Sequence, residues 1–293
     1  MKLPKYITLL LLALISLSSA AQTSDAKIST HTYKDTLQLD FYSSLSTQNG
    51  APPLLVLLHG GGFASGTRNG VSEVRFSEIM AEKGFAVASI SYRLTRKNDP
   101  FNCDCDTEKK LFSFISACED LSEAIHFMTN EKSLFFDRET MVLVGSSAGA
   151  EAILHSGFMG NDYRFNHIPK FNISGLVSFS GAISNAAYIT KNNAVPTLLI
   201  HGKKDKLVPY ATAPHHYCSE DASGYLMLDG PQTIAAKLHE MEASYILAYD
   251  NEGGHDWAFK AYKEVELINR FLNELVLNDQ KIQETVELKA VKE

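Results

Sequence analysis

Short apolar runs alternate along the chain with longer segments whose apolar residues recur every three or four positions. The first pattern is typical of buried strands and the second of amphipathic helices. The predicted strands cover residues 27–32, 36–42, 54–58, 85–92, 141–144, 173–179, 195–200 and 244–249, and the predicted helices cover 73–83, 108–130, 150–154 and 256–277. Such alternation predicts an α/β fold in one domain, with a mostly parallel twisted sheet and helices on both faces.

The two ends of the chain differ from this pattern. A short positive segment at residues 1–5, an apolar run at 7–17 and small residues at 18–21 are typical of a secretory signal peptide. We therefore expect a signal peptide at 1–21, a single folded domain at 22–277 and a polar C-terminal tail at 278–293. The apolar run is shorter than the ~20 residues that span a membrane comfortably, although an uncleaved anchor is the alternative. The expectation is an exported protein, periplasmic or secreted, with no membrane span after cleavage.

The net charge of the chain limits the classes of macromolecule that it is expected to bind. The chain has 27 Lys and Arg against 34 Asp and Glu, a net charge of −7, and without the two lysines of the leader the balance is 25 − 34 = −9. An acidic protein without basic clusters is not expected to bind nucleic acid. Composition predicts no oligomeric state.

The four cysteines permit three disulfide pairings if the protein is exported. Cys118 falls on the apolar stripe of the 108–130 helix and fits a buried free thiol. Cys103 and Cys105 lie in one polar loop and Cys218 in another, and we prefer a bridge between those two loops. A Cys-x-Cys pair without a second Cys or His pair nearby is a poor zinc site.

A glycine-flanked serine follows the strand at 141–144 and precedes the helix at 150–154. The sequence Gly145-Ser-Ser-Ala-Gly149 places Ser147 at the centre of a G-x-S-x-G motif. Between a strand and a helix this motif is typical of a nucleophile elbow, in which the serine oxygen stands exposed at the sheet edge. A simple Gly/Ser turn is the alternative, so the prediction depends on partners elsewhere.

A glycine run, His59-Gly-Gly-Gly-Phe63, directly follows the 54–58 strand. Acyl transfer develops negative charge on a carbonyl oxygen, and fixed backbone amides stabilise it. We predict the amides of Gly61 and Gly62 as donors, together with that of Ala148 after the serine. A glycine-rich turn is the alternative, and a phosphate loop is disfavoured because no G-K-[ST] follows.

An acid and a base follow the last two predicted core strands. Asp205 ends the segment 195–209, and a buried carboxylate there would orient a histidine. His255 lies on a glycine-rich loop after the 244–249 strand, where it could take and return the serine proton. Asp221 and Asp229 fit less well because neither follows a clear core strand.

The other histidines are poorer candidates for the base. His126 and His155 lie inside predicted helices, His201 lies on the strand leading to Asp205, and the pair at 215–216 follows no predicted strand. The order Ser, Asp, His also favours His255.

These motifs together resemble the carboxylesterases of the α/β-hydrolase fold that carry an HGGG motif. The matching segments are HGGGF at 59–63, GSSAG at 145–149, HGKKDKLVP at 201–209 and GGHDW at 253–257. The resemblance implies Ser147 as nucleophile, His255 as base and Asp205 as orienting acid. It also implies Gly61, Gly62 and Ala148 as oxyanion donors, with no metal and no cofactor.

The third segment, HGKKDKLVP, looks more like the bacterial branch that includes feruloyl and acetyl-xylan esterases and prolyl-peptidase-like hydrolases. The function implied is an exported serine hydrolase that cleaves small-molecule or carbohydrate esters through an acyl-enzyme. One alternative is a prolyl-peptidase-like serine peptidase, although such enzymes usually carry an N-terminal propeller that about 30 residues before the fold could not form. The other is a non-catalytic binding protein on the same scaffold.

The loops at 93–107 and 209–236 are expected to cover the pocket, because loops after strand ends surround the sites of α/β sheets. Candidate pocket aromatics are Phe63, Tyr92, Tyr210 and Tyr225, with ordinary core packing as the alternative for each.

Overall fold

The computed structural model describes residues 26–44 and 50–288, so the predicted signal peptide at 1–21 lies outside the described residues. The strands are β1 (Ala26–Lys34), β2 (Leu37–Ser44), β3 (Pro53–Leu58), β4 (Ala86–Ile90), β5 (Asp137–Ser146), β6 (Gly175–Phe179), β7 (Thr197–Gly202), β8 (Thr212–Pro214), β9 (Met227–Asp229), β10 (Tyr245–Asp250) and β11 (Gln283–Glu287). The α-helices are α1 (Val71–Glu82), α2 (Thr107–Asn130), α3 (Ala148–Phe158), α4 (Pro231–Glu240), α5 (Trp257–Lys260) and α6 (Val265–Phe271).

Nine strands form the main sheet in the order β1-β2-β4-β3-β5-β6-β7-β10-β11. The pairings of β1 with β2 and of β2 with β4 are antiparallel, and from β4 to β11 every neighbour is parallel. The short strands β8 and β9 pair separately. The predicted mostly parallel sheet is confirmed, and its parallel strands bring their carboxyl ends to one edge.

The core lies on both faces of the sheet, as predicted. Every residue of Leu54–Leu58 on β3 is fully buried, because helices cover the strand above and below. The core on one face joins the sheet to α2, α3 and α4, and includes Phe114 and Ile153. The core on the other face joins it to α1 and α6, and includes Phe76 and Phe271.

The C-terminal part of the chain differs from the prediction in two respects. The predicted helix at 256–277 is broken: α5 is followed by a 3-10 turn at Ala261–Lys263, α6 and a π-helical segment at Leu272–Leu277. The break falls at Glu264, whose ψ of 42° is not helical. The predicted tail from 278 is also not separate from the domain, since β11 adds to the sheet beside β10.

Helix α4 was not predicted, and its first six residues fall within the predicted covering loop at 209–236. The segment nonetheless contains a helical signal. Pro231 occupies the first turn, where its missing N–H costs nothing. Ile234, Ala235 and Leu238 are buried on one face.

A disulfide bond joins Cys103 in the loop before α2 to Cys218 in the loop between β8 and β9, with the Cα atoms 5.3 Å apart. The preferred pairing between the two loops is therefore confirmed. Cys105 and Cys118 are free and buried, as expected for Cys118. None of the helices in the described ranges is long and apolar enough to cross a membrane.

Strand β11 packs against the core through one face only, so we expect only the side chains on that face to stabilise the sheet. Val286 is half-buried and packs against the core that includes α6, whereas its neighbour Thr285 faces solvent. We predict that Val286→Asp lowers the melting temperature by about 5 °C, because it places a charge against apolar surface. Thr285→Asp is the matched control in thermal unfolding by circular dichroism. Equal effects of the two substitutions would contradict this account of β11.

The disulfide closes a long loop, with 115 residues of sequence separation. Replacing both Cys103 and Cys218 with Ser should lower the free energy of unfolding by about 2–4 kcal/mol, because the unfolded chain gains conformational freedom. Urea denaturation monitored by fluorescence measures this change. Cys105→Ser, which affects a free thiol, is the control and should cost much less. Identical midpoints for the double variant and the wild type would rule out the expected stabilisation.

Candidate active site

The turn between β5 and α3 brings strand and helix into close contact. A Cβ atom on Gly145 would lie 2.4 Å from the carbonyl oxygen of Gly149. A Cβ atom on Gly149 would lie 2.3 Å from the carbonyl oxygen of Leu58 at the end of β3. Only glycine avoids these clashes, so the motif's glycines are required by packing.

Ser147 occupies the strained position of this turn, with φ 50° and ψ −119°. Such a conformation is costly for a residue with a Cβ and is found mainly at functional sites. Its backbone N–H donates to the carbonyl of Phe179 on β6, at 2.8 Å, which helps to hold the turn. The neighbouring Ser146 is buried, and its hydroxyl donates to the carbonyl of Ala258 at 2.7 Å. Of the two serines, only Ser147 presents its oxygen to the cleft.

The structure brings Ser147, His255 and Asp205 together from the ends of β5, β10 and β7. Ser147 Oγ lies 2.8 Å from His255 Nε2, and His255 Nδ1 lies 2.7 Å from Asp205 Oδ2. Because a carboxylate only accepts, Nδ1 carries the proton and Nε2 is left to accept from the serine hydroxyl. This is the arrangement of hydrogen bonds that general-base activation of a serine requires.

Asp205 is fully buried, yet its carboxylate has several donors. Oδ1 accepts from the backbone N–H groups of Leu207 and Val208, at 2.8 and 3.0 Å. Burial raises the pKa of Asp205, but hydrogen bonds and electrostatic interactions with His201 and His255 outweigh that effect and hold the pKa well below its usual range. The group therefore remains ionised and can stabilise an imidazolium on His255.

His201 has a role that the sequence did not predict. Its Nε2 lies 3.0 Å from the carbonyl oxygen of Val208 and 3.2 Å from Asp205 Oδ2. Both partners accept, so Nε2 carries the proton and His201 supports the carboxylate from behind. The available signal was its position on the strand that leads to Asp205, four residues earlier.

The glycine loop after β3 borders the same cleft. Gly61 and Gly62 line it with Ser147, and their φ values of 119° and 60° are positive. Ala148 is the first residue of α3, where backbone N–H groups have no acceptor within the helix. All three predicted oxyanion donors thus lie beside Ser147, and their role as donors stays a prediction.

Two of the predicted pocket aromatics instead support this loop from inside the core. Tyr92 donates its hydroxyl to the carbonyl of His59 at 2.7 Å and stacks on the His59 ring, with centroids 4.4 Å apart. Phe63 is fully buried and makes edge contacts with Tyr92 and Phe101. Tyr210 and Tyr225 do not line the cleft either. For Phe63, Tyr92 and Tyr210, which belong to the hydrophobic core, the alternative of ordinary core packing was correct.

The cleft has a volume of about 360 Å³. Its lining residues are Gly61, Gly62, Phe101, Asn102, Ser147, Glu151, Leu207, Val208, His215, His216, His255 and Phe259. Asn102 and Phe101 come from the predicted covering loop at 93–107, and the two adjacent histidines come from the one at 209–236. The disulfide between Cys103 and Cys218 ties these two walls together.

Glu151, His215 and His216 are cleft residues that the sequence analysis did not identify. The histidine pair follows no strand that the sequence predicts, but in the structure it directly follows the three-residue strand β8. Glu151 lies one helical turn after Ser147, and its N–H donates to the Ser147 carbonyl at 2.9 Å. Its helical spacing from the serine was the signal that could have placed it beside the site.

The alternative acids lie elsewhere. Asp229 Oδ2 accepts from the N–H of Ala186 at 2.7 Å and Oδ1 accepts from the hydroxyl of Thr212 at 2.6 Å, so it organises a loop. Asp221 is exposed. Within residues 26–44 and 50–288, no three His, Cys, Asp or Glu side chains are grouped so that they could hold a metal ion.

A larger cavity, of about 510 Å³, lies at the other end of α3. Its lining includes His155, Gly160, Phe165 and Asn193. It does not include Ser147, Asp205 or His255. Its size therefore does not make it the catalytic candidate, because the chemistry is concentrated in the smaller cleft.

Comparison with known proteins agrees with the architecture. The family model described as BD-FAE matches residues 39–181, which include the glycine loop and the serine turn. No curated protein matches the chain.

Several solved esterase structures are similar over most of the chain. Esterase Est2 of the planctomycete Thermogutta terrifontis is 16% identical with a TM-score of 0.58, over 86% of this chain and 92% of that one. Esterase B of Lactobacillus rhamnosis is 15% identical with a TM-score of 0.54, over 87% of each chain. Brefeldin A esterase, a bacterial homologue of human hormone-sensitive lipase, is 14% identical with a TM-score of 0.54, over 88% of this chain and 78% of that one. Together with the sheet topology, these likenesses establish that the chain has the α/β-hydrolase fold.

Proposed function

We propose that this protein is an exported serine hydrolase that cleaves carboxylic esters through an acyl-enzyme. The observation that carries the proposal is the chain of two hydrogen bonds from Ser147 through His255 to Asp205, at 2.8 and 2.7 Å. A serine hydroxyl paired with an oriented imidazole is a nucleophile activated for acyl transfer.

In the proposed reaction, Ser147 Oγ attacks the ester carbonyl and His255 takes its proton. The developing oxyanion is stabilised by the N–H groups of Gly61, Gly62 and Ala148. His255 then protonates the leaving alcohol, and the acyl group stays on Ser147. A water molecule, deprotonated by His255, hydrolyses this ester and restores the serine.

Two kinds of likeness support an ester as substrate. The family model that matches residues 39–181 and the esterase neighbours both point to that reaction class. Esterase 2 of T. terrifontis is phosphorylated by paraoxon, and we expect the same kind of reagent to modify Ser147 here. For the substrate we propose a small-molecule or carbohydrate ester, as in the feruloyl and acetyl-xylan esterase branch that the HGKKDKLVP segment resembles.

Export is proposed from the leader pattern at 1–21. A disulfide between two surface loops supports it, because such bonds persist mainly in oxidising compartments. Peptide cleavage would use the same three residues, and a panel of p-nitrophenyl esters compared with prolyl-p-nitroanilide substrates separates the two reactions. A non-catalytic binding role would give no turnover of either.

Ser147→Ala should abolish both hydrolysis of p-nitrophenyl acetate and labelling by a fluorophosphonate probe, because it removes the proposed nucleophile. Ser146→Ala is the matched control. It loses a buried hydrogen bond worth about 1 kcal/mol of stability, and it should keep its reactivity toward the probe. Labelling that survives in Ser147→Ala and disappears in Ser146→Ala would refute the assignment.

Asp205→Asn should lower kcat by about 10⁴-fold with a smaller change in KM, since an amide cannot hold His255 in the required tautomer. The measurement is steady-state hydrolysis of the best ester, with folding checked by circular dichroism. Asp221→Asn, which changes an exposed acid, is the control. A loss of comparable size in the control would place the orienting acid elsewhere.

A further inference from the structure

Glu151 is a buried acidic residue that lines the cleft and that the proposed reaction does not use. Its side chain is 1% exposed, and it lines the cleft together with Ser147 and His215. Glu151 Oε1 lies 3.4 Å from His215 Nε2, and the His215 side chain is also 1% exposed. Glutamate is almost never this buried without a partner, so its position calls for a physical explanation.

The polar atoms of this pair are not fully satisfied. Over the part of the chain that the structure describes, Glu151 Oε1 and His215 Nδ1 have no hydrogen-bond partner. Lys110, which is also buried, donates to the carbonyl of Gly224 at 2.7 Å. A buried polar atom without a partner is costly, and an apolar pair of the same shape would avoid that cost.

Burial sets the protonation of the pair. It raises the pKa of Glu151 well above its usual range, against the opposing positive charge of Lys110. Burial, with the adjacent His216, lowers the pKa of His215 well below its usual range. Burial therefore favours the neutral form of each side chain, and a neutral carboxyl and a neutral imidazole can each donate and accept one hydrogen bond.

The rest of the cleft lining includes apolar residues. Phe101, Leu207 and Phe259 line the cleft, and Leu207 and Phe259 are exposed. The Phe101 ring makes an edge contact with the His215 ring, with centroids 5.2 Å apart. A bound substrate therefore meets apolar side chains as well as Glu151 and the two histidines, and an entirely apolar ester would leave these polar groups without partners.

We propose that Glu151 and His215 form a polar subsite beside Ser147 that selects esters carrying a hydroxyl group close to the scissile bond. A hydroxyl both donates and accepts, so it can satisfy the carboxyl oxygen of Glu151 and a ring nitrogen of His215 together. Sites built to hydrogen-bond a substrate hydroxyl discriminate strongly against the analogue that lacks it, because their own polar groups are then left unpaired. The inference rests on the proposed ester hydrolysis and adds a specificity-determining residue to it.

The test compares pairs of esters in which one member carries a hydroxyl where the other carries hydrogen or a methyl group. On the acyl side the pair is p-nitrophenyl 3-hydroxybutyrate and p-nitrophenyl butyrate. On the alcohol side the pair is 2-hydroxyethyl butyrate and propyl butyrate. For the wild type we expect kcat/KM to favour the hydroxylated member of one pair by about tenfold or more, after correction for uncatalysed hydrolysis. A preference below about twofold in both pairs would overturn the proposal.

Glu151→Met, which keeps a similar length without polar atoms, should reduce that preference about tenfold or more. Glu151→Gln keeps hydrogen-bonding capacity and should retain part of the preference, which a purely structural role would not predict. Glu73→Met is the control: Glu73 is another buried glutamate, it accepts from the Tyr262 hydroxyl at 2.9 Å, and it does not line the cleft. Its substitution should leave the ratio of the two kcat/KM values unchanged.

An unchanged preference in a folded Glu151→Met variant would overturn the proposal, and so would an equal loss in Glu73→Met. If Glu151→Met does not fold, Glu151→Gln and His215→Gln decide by the same ratio, and a full wild-type preference in both would overturn it. Failure of ester hydrolysis itself is a different result: no ester would be turned over and Ser147 would not be labelled. Turnover of all four esters without a preference would remove only the subsite.

Discussion

The contact between the start of α3 and the end of β3 is the constraint on which the site depends. A Cβ atom on Gly149 would lie 2.3 Å from the carbonyl oxygen of Leu58 and 2.6 Å from that of His59. The serine turn and the glycine loop are therefore packed backbone to backbone. Because this contact is closely packed, it fixes the position of Ser147 relative to Gly61 and Gly62. The strain at Ser147, with φ 50°, is maintained by that packing and by the hydrogen bond to Phe179.

The parallel sheet brings the three side chains of the site to one place. Ser147, Asp205 and His255 follow β5, β7 and β10, whose carboxyl ends share one edge of the sheet. The sequence predicted these three positions because each follows an apolar run, and a parallel sheet turns the end of every such run into one location. The same reasoning located the glycine loop after β3. Their predicted chemical roles are consistent with the geometry, and assays of the substituted protein must test them.

The parts that the sequence did not predict depend on contacts distant along the chain. Phe63 and Tyr92 are of the residue types that often line pockets, but their rings pack in the core against the glycine loop. Nothing local in the sequence distinguishes a pocket aromatic from a core aromatic. His215 and His216 reach the cleft through strand β8, which has only three residues and is too short for periodicity to reveal. Strand β11 is polar on one face because it lies at the sheet edge, so its sequence resembled a tail. By contrast, helix α4 has a local helical signal in Pro231 and its apolar face, and the sequence analysis missed it by extending the covering loop to residue 236.

Two buried carboxyl groups lie near Ser147, and their surroundings give them opposite states. Asp205 accepts from two backbone N–H groups and from His255, so it remains charged although it is fully buried. Glu151 lies 3.4 Å from His215 and has no comparable set of donors among the described residues, so burial raises its pKa and favours the neutral form. The number of donors, and not the depth of burial, separates them. A charged Asp205 suits the stabilisation of a cation that forms on His255, whereas a neutral Glu151 can share a hydrogen bond with an uncharged ligand group. The same cleft therefore combines a group for the reaction and a group for selection without bringing two negative charges together.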